Sequence, residues 1–454
     1  MSKKKQLCAL AVVMVLSLAA VLPVKESQAY GSGNFSVTVE GVRYSCFSDK
    51  EDPLYGTAYV YGFDESIQST VEEVTFQSQV KDENGNTYKV TEVGGTISDP
   101  DSVSKCAKLK KVVIPDSVTK VGAMFRGCPE LTTVVIPDSV TVIEEQAFID
   151  SPKLTGVHIP ENPAFTRLEA QTFNGCKTLT DITIPKNVTY ISGTTEPELS
   201  AFDDDVAITL HGYIDSAAET FADARKNITF APLNGISHDL FRVKFPDSWV
   251  GKYVAEAGED GDYISVTSKK AYDEKKGGGW LFSIGIENYG WYDDIFPSYH
   301  LISKKGSMNF LYCEPTDVQM DSPENGFAEY GYSQAAIDEY KELGQNMVGP
   351  TGIDIRYLVT PPATTSIGKI KRTGKKAKVP VGEVEGVSGY EIEYSNSKKF
   401  PYMSPGEGVK SSSGTTLTAT KLKKGKTYYV RVRTYITVGK SRAYSAWSKT
   451  KTMK

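Results

Sequence analysis

The sequence predicts a multidomain, mainly β protein: a solenoid of short repeats, then an α+β domain, then a β-sandwich. An apolar motif recurs every 22 to 25 residues, a middle region lacks that motif, and the last region contains short alternating segments. The chain has 454 residues, of which 40% are hydrophobic and 24% charged. This composition suits several folded domains and excludes a disordered, collagen-like or multispan membrane protein.

Residues 1–29 have the features of a secretory signal peptide. Three lysines precede an apolar run over residues 7–22, and the small residues Ser27 and Ala29 fit cleavage after Ala29. A membrane anchor is the alternative, but the apolar run would rise only ~24 Å as a helix, short of a ~30 Å hydrocarbon core. No second hydrophobic stretch follows. We therefore expect a secreted protein with no membrane span after signal cleavage.

Residues 30–234 are predicted to form the solenoid. Four units share the pattern L-x-x-V/I-x-I-P and begin at Leu109, Leu131, Leu154 and Leu179. Each unit supplies one short strand and a return, too little to bury its own apolar side chains, so neighbouring units must stack. A phenylalanine lies six residues before three of these leucines, at Phe125, Phe148 and Phe173.

The cysteines follow the repeat. Removal of residues 1–29 leaves five, an odd number that excludes a complete set of disulfides within the chain. Cys106, Cys128 and Cys176 each lie three residues before a repeat leucine, and Ser151 fills the same position. We expect a buried column of small side chains there. A disulfide between neighbouring repeats is the open alternative.

Residues 35–232 resemble the BspA-like (treponemal-type) leucine-rich repeats of bacterial surface proteins. The four repeat units and the Phe-x-Gly-Cys turns at 125–128 and 173–176 carry the resemblance. The repeat is irregular at Thr155-Gly156, at 161–166 and at 194–199. The resemblance implies adhesion, with a host or matrix protein or a glycan as partner.

Strand residues that alternate with the buried ones should face solvent and form a rigid ligand platform. The hypothesised ligand-binding residues are Lys111, Val113, Thr133, Val135, His158, Asp181 and Thr183.

Residues 235–360 carry no repeat and predict an α+β domain of unknown role. Strand-like segments precede a helix predicted from Ser333 to Asn346, with Ser333 as its N-cap. Tyr289, Trp291 and Tyr292 lie beside two aspartates, and an aromatic platform of this kind suits a carbohydrate. The alternative places these rings in the core.

Residues 363–454 predict a strongly basic β-sandwich, because short alternating segments are separated by turn signals. The region resembles a fibronectin type III domain. Leu422 followed by Tyr428 fits the tyrosine corner of such folds, whereas Val381 stands where the family usually buries a tryptophan. No Arg-Gly-Asp occurs, so integrin-type recognition is not implied.

Charge is divided unevenly along the chain. Residues 363–454 hold 16 Lys and 4 Arg against 5 Glu and no Asp, whereas residues 30–362 carry a net charge of −23. A domain with a net charge of +15 attracts polyanions, so we expect retention on an anionic cell-wall polymer. The alternatives are ordinary solubilising lysines or docking on the acidic remainder of the chain. Nucleic acid is disfavoured, because the aromatic residues alternate within strands as core residues do.

Catalytic patterns are weak. The S-x-x-K matches at 102–105 and 117–120 fall inside the repeat, and G-x-S-x-G, H-E-x-x-H and C-x-x-C do not occur. Acidic residues at 203–205 and 260–262 suit solvated turns better than Ca²⁺ loops. We therefore expect no enzyme activity, no metal and no cofactor.

The sequence as a whole indicates a secreted or cell-surface, non-catalytic binding or adhesion protein, either released or held at the cell wall. The alternatives are a wall-associated glycan or peptidoglycan hydrolase that uses the middle domain, and a structural spacer.

Overall fold

A computed structural model describes residues 29–30, 34–94, 107–258, 263–275, 278–287, 299–313, 332–345, 354–398, 400 and 408–454. The chain divides into two compact units, one of residues up to 210 with 220–229, the other of 211–219 with 230–454. Apart from Ala29, the predicted signal peptide lies outside the described residues, as does Cys106. No helix in the described ranges has the length and apolar character that a membrane span requires.

The first unit opens with antiparallel strands that continue into the repeats. Its first elements are β1 (Ala29–Tyr30), β2 (Asn34–Val39), β3 (Val42–Phe47), β4 (Thr57–Phe63), α1 (Glu65–Gln68), β5 (Glu73–Thr75), β6 (Gln79–Lys81) and β7 (Thr87–Val93). β6 and β7 pair as a hairpin whose turn holds Gly85 at a φ of 83°, a conformation that glycine adopts readily.

Each repeat supplies two short strands. These are β8 (Lys111–Val113), β9 (Lys120–Val121), β10 (Thr133–Val135), β11 (Val142–Ile143), β12 (Gly156–Val157), β13 (Arg167–Leu168), β14 (Asp181–Thr183) and β15 (Tyr190–Ile191). One parallel sheet has the order β5-β8-β10-β12, and the return strands extend the opening sheet in the order β4-β7-β9-β11. β13 pairs with β15 in a sheet of its own.

A column of phenylalanine rings forms the core of the solenoid. Each ring is at most 2% exposed, and neighbouring centroids lie 5.6 to 6.4 Å apart. The column runs through Phe76, Phe125, Phe148, Phe173, Phe202 and Phe221. The regular phenylalanine spacing in the sequence therefore places the ring of one repeat on the ring of the next. The column also includes Phe76, Phe202 and Phe221, which the sequence analysis did not single out.

The repeats are followed by β16 (Ile208–Gly212), α2 (Ala217–Asp223) and β17 (Ile228–Pro232), and β14, β16 and β17 form a three-stranded sheet.

The second unit begins with an α+β region. Its elements are β18 (Gly235–Ser237), β19 (Phe241–Lys244), β20 (Tyr253–Ala257), β21 (Tyr263–Ser268), α3 (Lys269–Glu274), β22 (Trp280–Glu287), β23 (Tyr299–Lys305), β24 (Met308–Cys313), α4 (Gln334–Gln345) and β25 (Asp354–Tyr357). The sheets have the orders β18-β19-β25 and β20-β21-β22-β24-β23. The Ser333 hydroxyl accepts a hydrogen bond from the Ala336 amide at 3.2 Å, which confirms the predicted N-cap.

The last region is a β-sandwich. Its strands are β26 (Lys371–Thr373), β27 (Lys376–Pro380), β28 (Gly389–Ser395), β29 (Val409–Ser412), β30 (Thr416–Ala419), β31 (Tyr428–Val438), β32 (Ser441–Tyr444) and β33 (Lys451–Met453). One sheet has the order β26-β27-β30, and the other has the order β29-β28-β31-β32 with β33 also on β31. Tyr428 Oη accepts a hydrogen bond from the Lys423 amide at 3.1 Å, as the tyrosine corner predicts.

The α+β region and the sandwich share one apolar cluster. Tyr435, Ala443 and Tyr444 of the sandwich belong to the same buried cluster as Phe241 and Phe310. The sequence predicts separate domains at 235–360 and 363–454. Both regions lie in the second unit, where these three sandwich residues pack with the core of the α+β region.

Candidate functional site

The sheet β5-β8-β10-β12 presents aligned columns of exposed residues. Lys111 pairs directly with Thr133, and Val113 pairs with Val135. The intervening Val112 and Val134 are buried, whereas Lys111 is exposed and its three neighbours in the columns are half-buried. The alternation that the repeat predicts is therefore present on β8 and β10.

The structure divides the seven predicted contact residues between two sheets. Lys111, Val113, Thr133 and Val135 lie on β8 and β10, and His158 follows β12 directly. Asp181 and Thr183 are exposed on β14, which belongs to the separate sheet β14-β16-β17. The division falls in the longest repeat, where β12 is only two residues long and Gly156 has no side chain to pack.

His158 has a partner that the sequence analysis missed. Its Nε2 lies 2.8 Å from Asp138 Oδ1, and the Glu161 amide donates to the same oxygen at 2.8 Å. The hydrogen bond from the Glu161 amide, and to a lesser extent the contact with His158, hold the pKa of Asp138 below its usual range. The Pro-Asp-Ser-Val segment recurs at 115–118 and 137–140, but nothing in that recurrence indicates a contact with His158. A carboxylate is thereby fixed three residues beyond Val135.

The small-residue column behind the strands is structural. Ser151 Oγ donates to the Phe125 carbonyl at 3.1 Å, and Cys176 Sγ donates to the Phe148 carbonyl at 3.3 Å. Burial raises the pKa of Cys176 to about 12, so the group is a neutral thiol. No disulfide joins the four cysteines in the described residues. The Cys106–Cys128 pairing left open above involves a residue outside them.

A second candidate surface lies on the sandwich, where two of the five glutamates are internal. Arg431 Nε lies 2.5 Å from Glu393 Oε2, and Arg433 Nη2 lies 2.5 Å from Glu391 Oε1. Both glutamates are 2% exposed. The Trp447 ring covers both guanidinium groups, at 4.5 and 4.2 Å from its centroid. The arginines are thus neutralised inside the fold, and lysines dominate the surface.

Every described lysine of residues 363–454 is exposed except Lys410, which is half-buried. Glu383 and Glu385 are the exposed acidic residues in the described part of this region.

Metal-ligating chemistry is weak across the described ranges, which contain no cluster of three or more His, Cys, Asp or Glu side chains. Asp203 accepts from Lys177 Nζ at 2.6 Å, and Asp204 pairs with Arg225 at 2.6 Å, so two of the three carboxylates at 203–205 face protein cations. Residues 260–262 lie outside the described residues, as do Tyr289, Trp291 and Tyr292 of the predicted aromatic platform.

Comparison with known families identifies the repeat. Residues 98–195 match the family model described as the BspA type leucine rich repeat region, in six copies. This match confirms the leucine-rich-repeat prediction for that part of the chain. No curated protein sequence matches the chain.

Three solved structures are similar to parts of the chain. A leucine-rich repeat protein from Bacteroides ovatus is 23% identical, with a TM-score of 0.28, over 41% of this chain and 45% of that one. A leucine rich cell surface protein from Faecalibacterium prausnitzii is 18% identical, with a TM-score of 0.26, over 51% and 60%. The chicken CNTN1 FN1-FN3 domains are 13% identical, with a TM-score of 0.17, over 45% and 64%. The chain therefore spans less than two thirds of each.

Proposed function

We propose that this protein is a secreted, non-catalytic binding protein of the bacterial cell surface. Its solenoid docks a host or matrix protein or a glycan, and its basic sandwich retains it on anionic cell-wall polymers. The BspA-type match at 98–195 supports the solenoid, and the signal-like pattern of residues 1–29 supports export.

The observation that carries the docking role is the register of the surface formed by Lys111, Val113, Thr133 and Val135, which we call the strand face. Two half-exposed valines are direct partners at its centre, and Lys111 and Asp138 supply charges of opposite sign nearby. An apolar centre with a polar surround is the usual anatomy of a protein interface. Because hydrogen-bonded strands hold the backbone, little conformational entropy would be lost on docking.

An array of matrix proteins and glycans probed with the purified chain tests this role. For a ligand found there, Val135→Lys combined with His158→Lys should weaken binding at least about tenfold, because a charge replaces the apolar Val135 side chain and the neighbouring His158 ring is removed. Val142→Lys is a single-site control, since Val142 is 43% exposed on β11, in the sheet that contains the return strands. Circular dichroism checks folding. An unchanged affinity of the double variant rejects the strand face.

The sandwich is, in this proposal, a fibronectin type III domain. The strand order of its two sheets and the Tyr428 corner support that assignment. Its surface charge supports retention, because the acidic residues that would offset the lysines are few or internal.

Two rival functions give different outcomes. A structural spacer should bind nothing on the array, and its strand face should tolerate charge reversal. A wall hydrolase should release fragments from peptidoglycan or glycans and lose that activity when a carboxylate pair in residues 235–360 is substituted. Either result would displace the binding role.

A further inference from the structure

One face of the sandwich concentrates its positive charge. In the sheet β26-β27-β30, Ala377, Val379, Leu417 and Ala419 point inward and are at most 1% exposed. Side chains alternate across a strand, so the residues between them face outward. Lys376 and Lys378 occupy those outward positions on β27 and are exposed.

Two of the lysines are direct cross-strand partners. Lys371 on β26 pairs with Lys378 on β27, and Thr373 pairs with Lys376 in the next outward row. Like charges directly opposite one another destabilise a sheet. In the described ranges neither lysine forms an ion pair with a carboxylate. A bound anion would relieve this repulsion.

A lysine-rich turn adjoins the same hairpin. Arg372 on β26 donates to the carbonyls of Lys423 and Lys426 at 2.6 and 2.7 Å, and the Leu422 amide donates to the Lys375 carbonyl at 3.0 Å. These bonds hold the turn beside the end of the β26-β27 hairpin. The surface that we call the lysine face consists of Lys371, Lys375, Lys376, Lys378, Lys423, Lys424 and Lys426.

We propose that the lysine face is the binding site for a linear, phosphate-bearing polymer of the cell wall. This inference rests on the retention role proposed above and names the site and ligand class behind it. Ammonium groups are compact, flexible point charges that suit a mobile row of phosphates better than a single rigid group. The apposed Lys371 and Lys378 on neighbouring strands of one sheet allow more than one phosphate of a chain to bind together.

The composition of the face disfavours the other polyanionic partners. Its outward strand residues are lysines and threonines, including Thr373, Thr416 and Thr418, with the half-buried Pro380 at the end of β27. Single-stranded nucleic acid binds where bases stack on aromatic rings, and insertion at a membrane surface needs apolar side chains. These outward positions supply no aromatic ring, and Pro380 is their one apolar side chain.

The test compares two fourfold variants of the full chain, because the sandwich shares an apolar cluster with the α+β region. The face variant carries Lys371→Gln, Lys376→Gln, Lys378→Gln and Lys424→Gln. The control carries Lys398→Gln, Lys440→Gln, Lys449→Gln and Lys454→Gln, four exposed lysines outside the face. Both lose the same net charge, and circular dichroism checks their folding. The probe is immobilised polyglycerol phosphate, with anionic lipid vesicles and single-stranded DNA as parallel probes.

We expect the wild-type chain to bind polyglycerol phosphate at low salt and to be released near about 0.5 M salt, where the Debye length is ~4 Å. The face variant should bind at least about tenfold more weakly. Its affinity should also depend less on salt concentration, because a protein with fewer phosphate contacts releases fewer counterions on binding. The control should stay within about twofold of wild type.

The outcomes separate the two proposals. Failure of the wild-type chain to bind polyglycerol phosphate overturns the retention role itself. Binding by the wild type with equal losses in both variants keeps retention but rejects the lysine face. Tighter binding to vesicles or to DNA than to polyglycerol phosphate rejects the ligand class.

Discussion

Arg433 and Glu391 lie directly opposite each other on β31 and β28, and both side chains are almost wholly buried. Arg433 Nε and Nη2 lie 2.9 and 2.5 Å from one oxygen of Glu391, while Nη1 donates to Ser307 Oγ of the α+β region at 2.7 Å. The Tyr444 ring covers the guanidinium at 3.7 Å. The arginine of a buried ion pair in the sandwich therefore also forms a hydrogen bond with the α+β region.

Removal of the carboxylate should destabilise the second unit. Glu391→Ala leaves the Arg433 charge buried without its main counter-charge, and we expect a loss of about 3–5 kcal/mol in the free energy of unfolding. Urea unfolding followed by tryptophan fluorescence measures this, because all four tryptophans lie between residues 249 and 447. Glu385→Ala, at an exposed position, is the control and should change stability by less than about 0.5 kcal/mol. Equal effects would contradict the assigned role.

Two glycines of the solenoid should respond differently to alanine. Gly175 has a φ of 78°, and an added Cβ would lie 2.6 Å from Asp150 Oδ1 and 2.9 Å from its Cα. We expect Gly175→Ala to cost about 1–3 kcal/mol in the free energy of unfolding. Gly156 has open space around its Cβ position, so Gly156→Ala should be within about 0.5 kcal/mol of wild type. Far-UV circular dichroism during urea unfolding measures both, and a larger loss for Gly156→Ala would refute the packing argument.

The phenylalanine column should be sensitive at its centre. Phe148 stacks nearly parallel with Phe125 and Phe173, at 5.7 and 5.6 Å between centroids. Phe148→Ala should cost about 3–5 kcal/mol, because the cavity opens between two stacked repeats. Phe148→Leu keeps most of the volume and should cost clearly less. The same circular dichroism assay ranks the two, and a neutral Phe148→Ala would show that the column does not stabilise the solenoid.

The Asp138 carboxylate should add an acid-sensitive contribution to stability. Its folded pKa lies below the unfolded value, so the contribution is complete above the ordinary aspartate range near ~3.9 and is lost as pH falls through the folded pKa. Asp138→Asn should therefore unfold more easily than wild type at neutral pH, and the difference should shrink in acid. Thermal unfolding between about pH 7 and pH 2 measures this. Asp116→Asn, at the equivalent exposed position of the preceding repeat, is the control. A constant difference between Asp138→Asn and wild type across the range would contradict it.

Local and periodic features were predictable from the sequence. Ser333 caps the helix that begins at the next residue by accepting from an amide three residues away, and the spacing of Phe125, Phe148 and Phe173 repeats with the solenoid. A short window of sequence therefore contains the information. The tyrosine corner at Tyr428 is equally local.

Features that depend on pairing between distant residues were not predictable. His158 meets Asp138 across 20 residues, and Arg433 meets Glu391 across 42, so neither spacing carries a signal of contact. Tyr435 and Tyr444 alternate as sandwich residues do, yet they belong to the cluster of the α+β region, because a strand pattern shows that one face is buried but not what covers it.

The interruption after β12 sets a limit on the length of any ligand that lies across the sheet β5-β8-β10-β12. Four strands, β5, β8, β10 and β12, span three gaps of ~4.8 Å, or ~14 Å in all. An extended peptide of about four residues covers the same distance. A longer molecule would have to continue onto β14, where Asp181 and Thr183 replace the lysine and valines with an acidic and a hydroxyl group. A short ligand would therefore contact the sheet β5-β8-β10-β12 alone, whereas a longer one would also have to fit the acidic and hydroxyl side chains on β14.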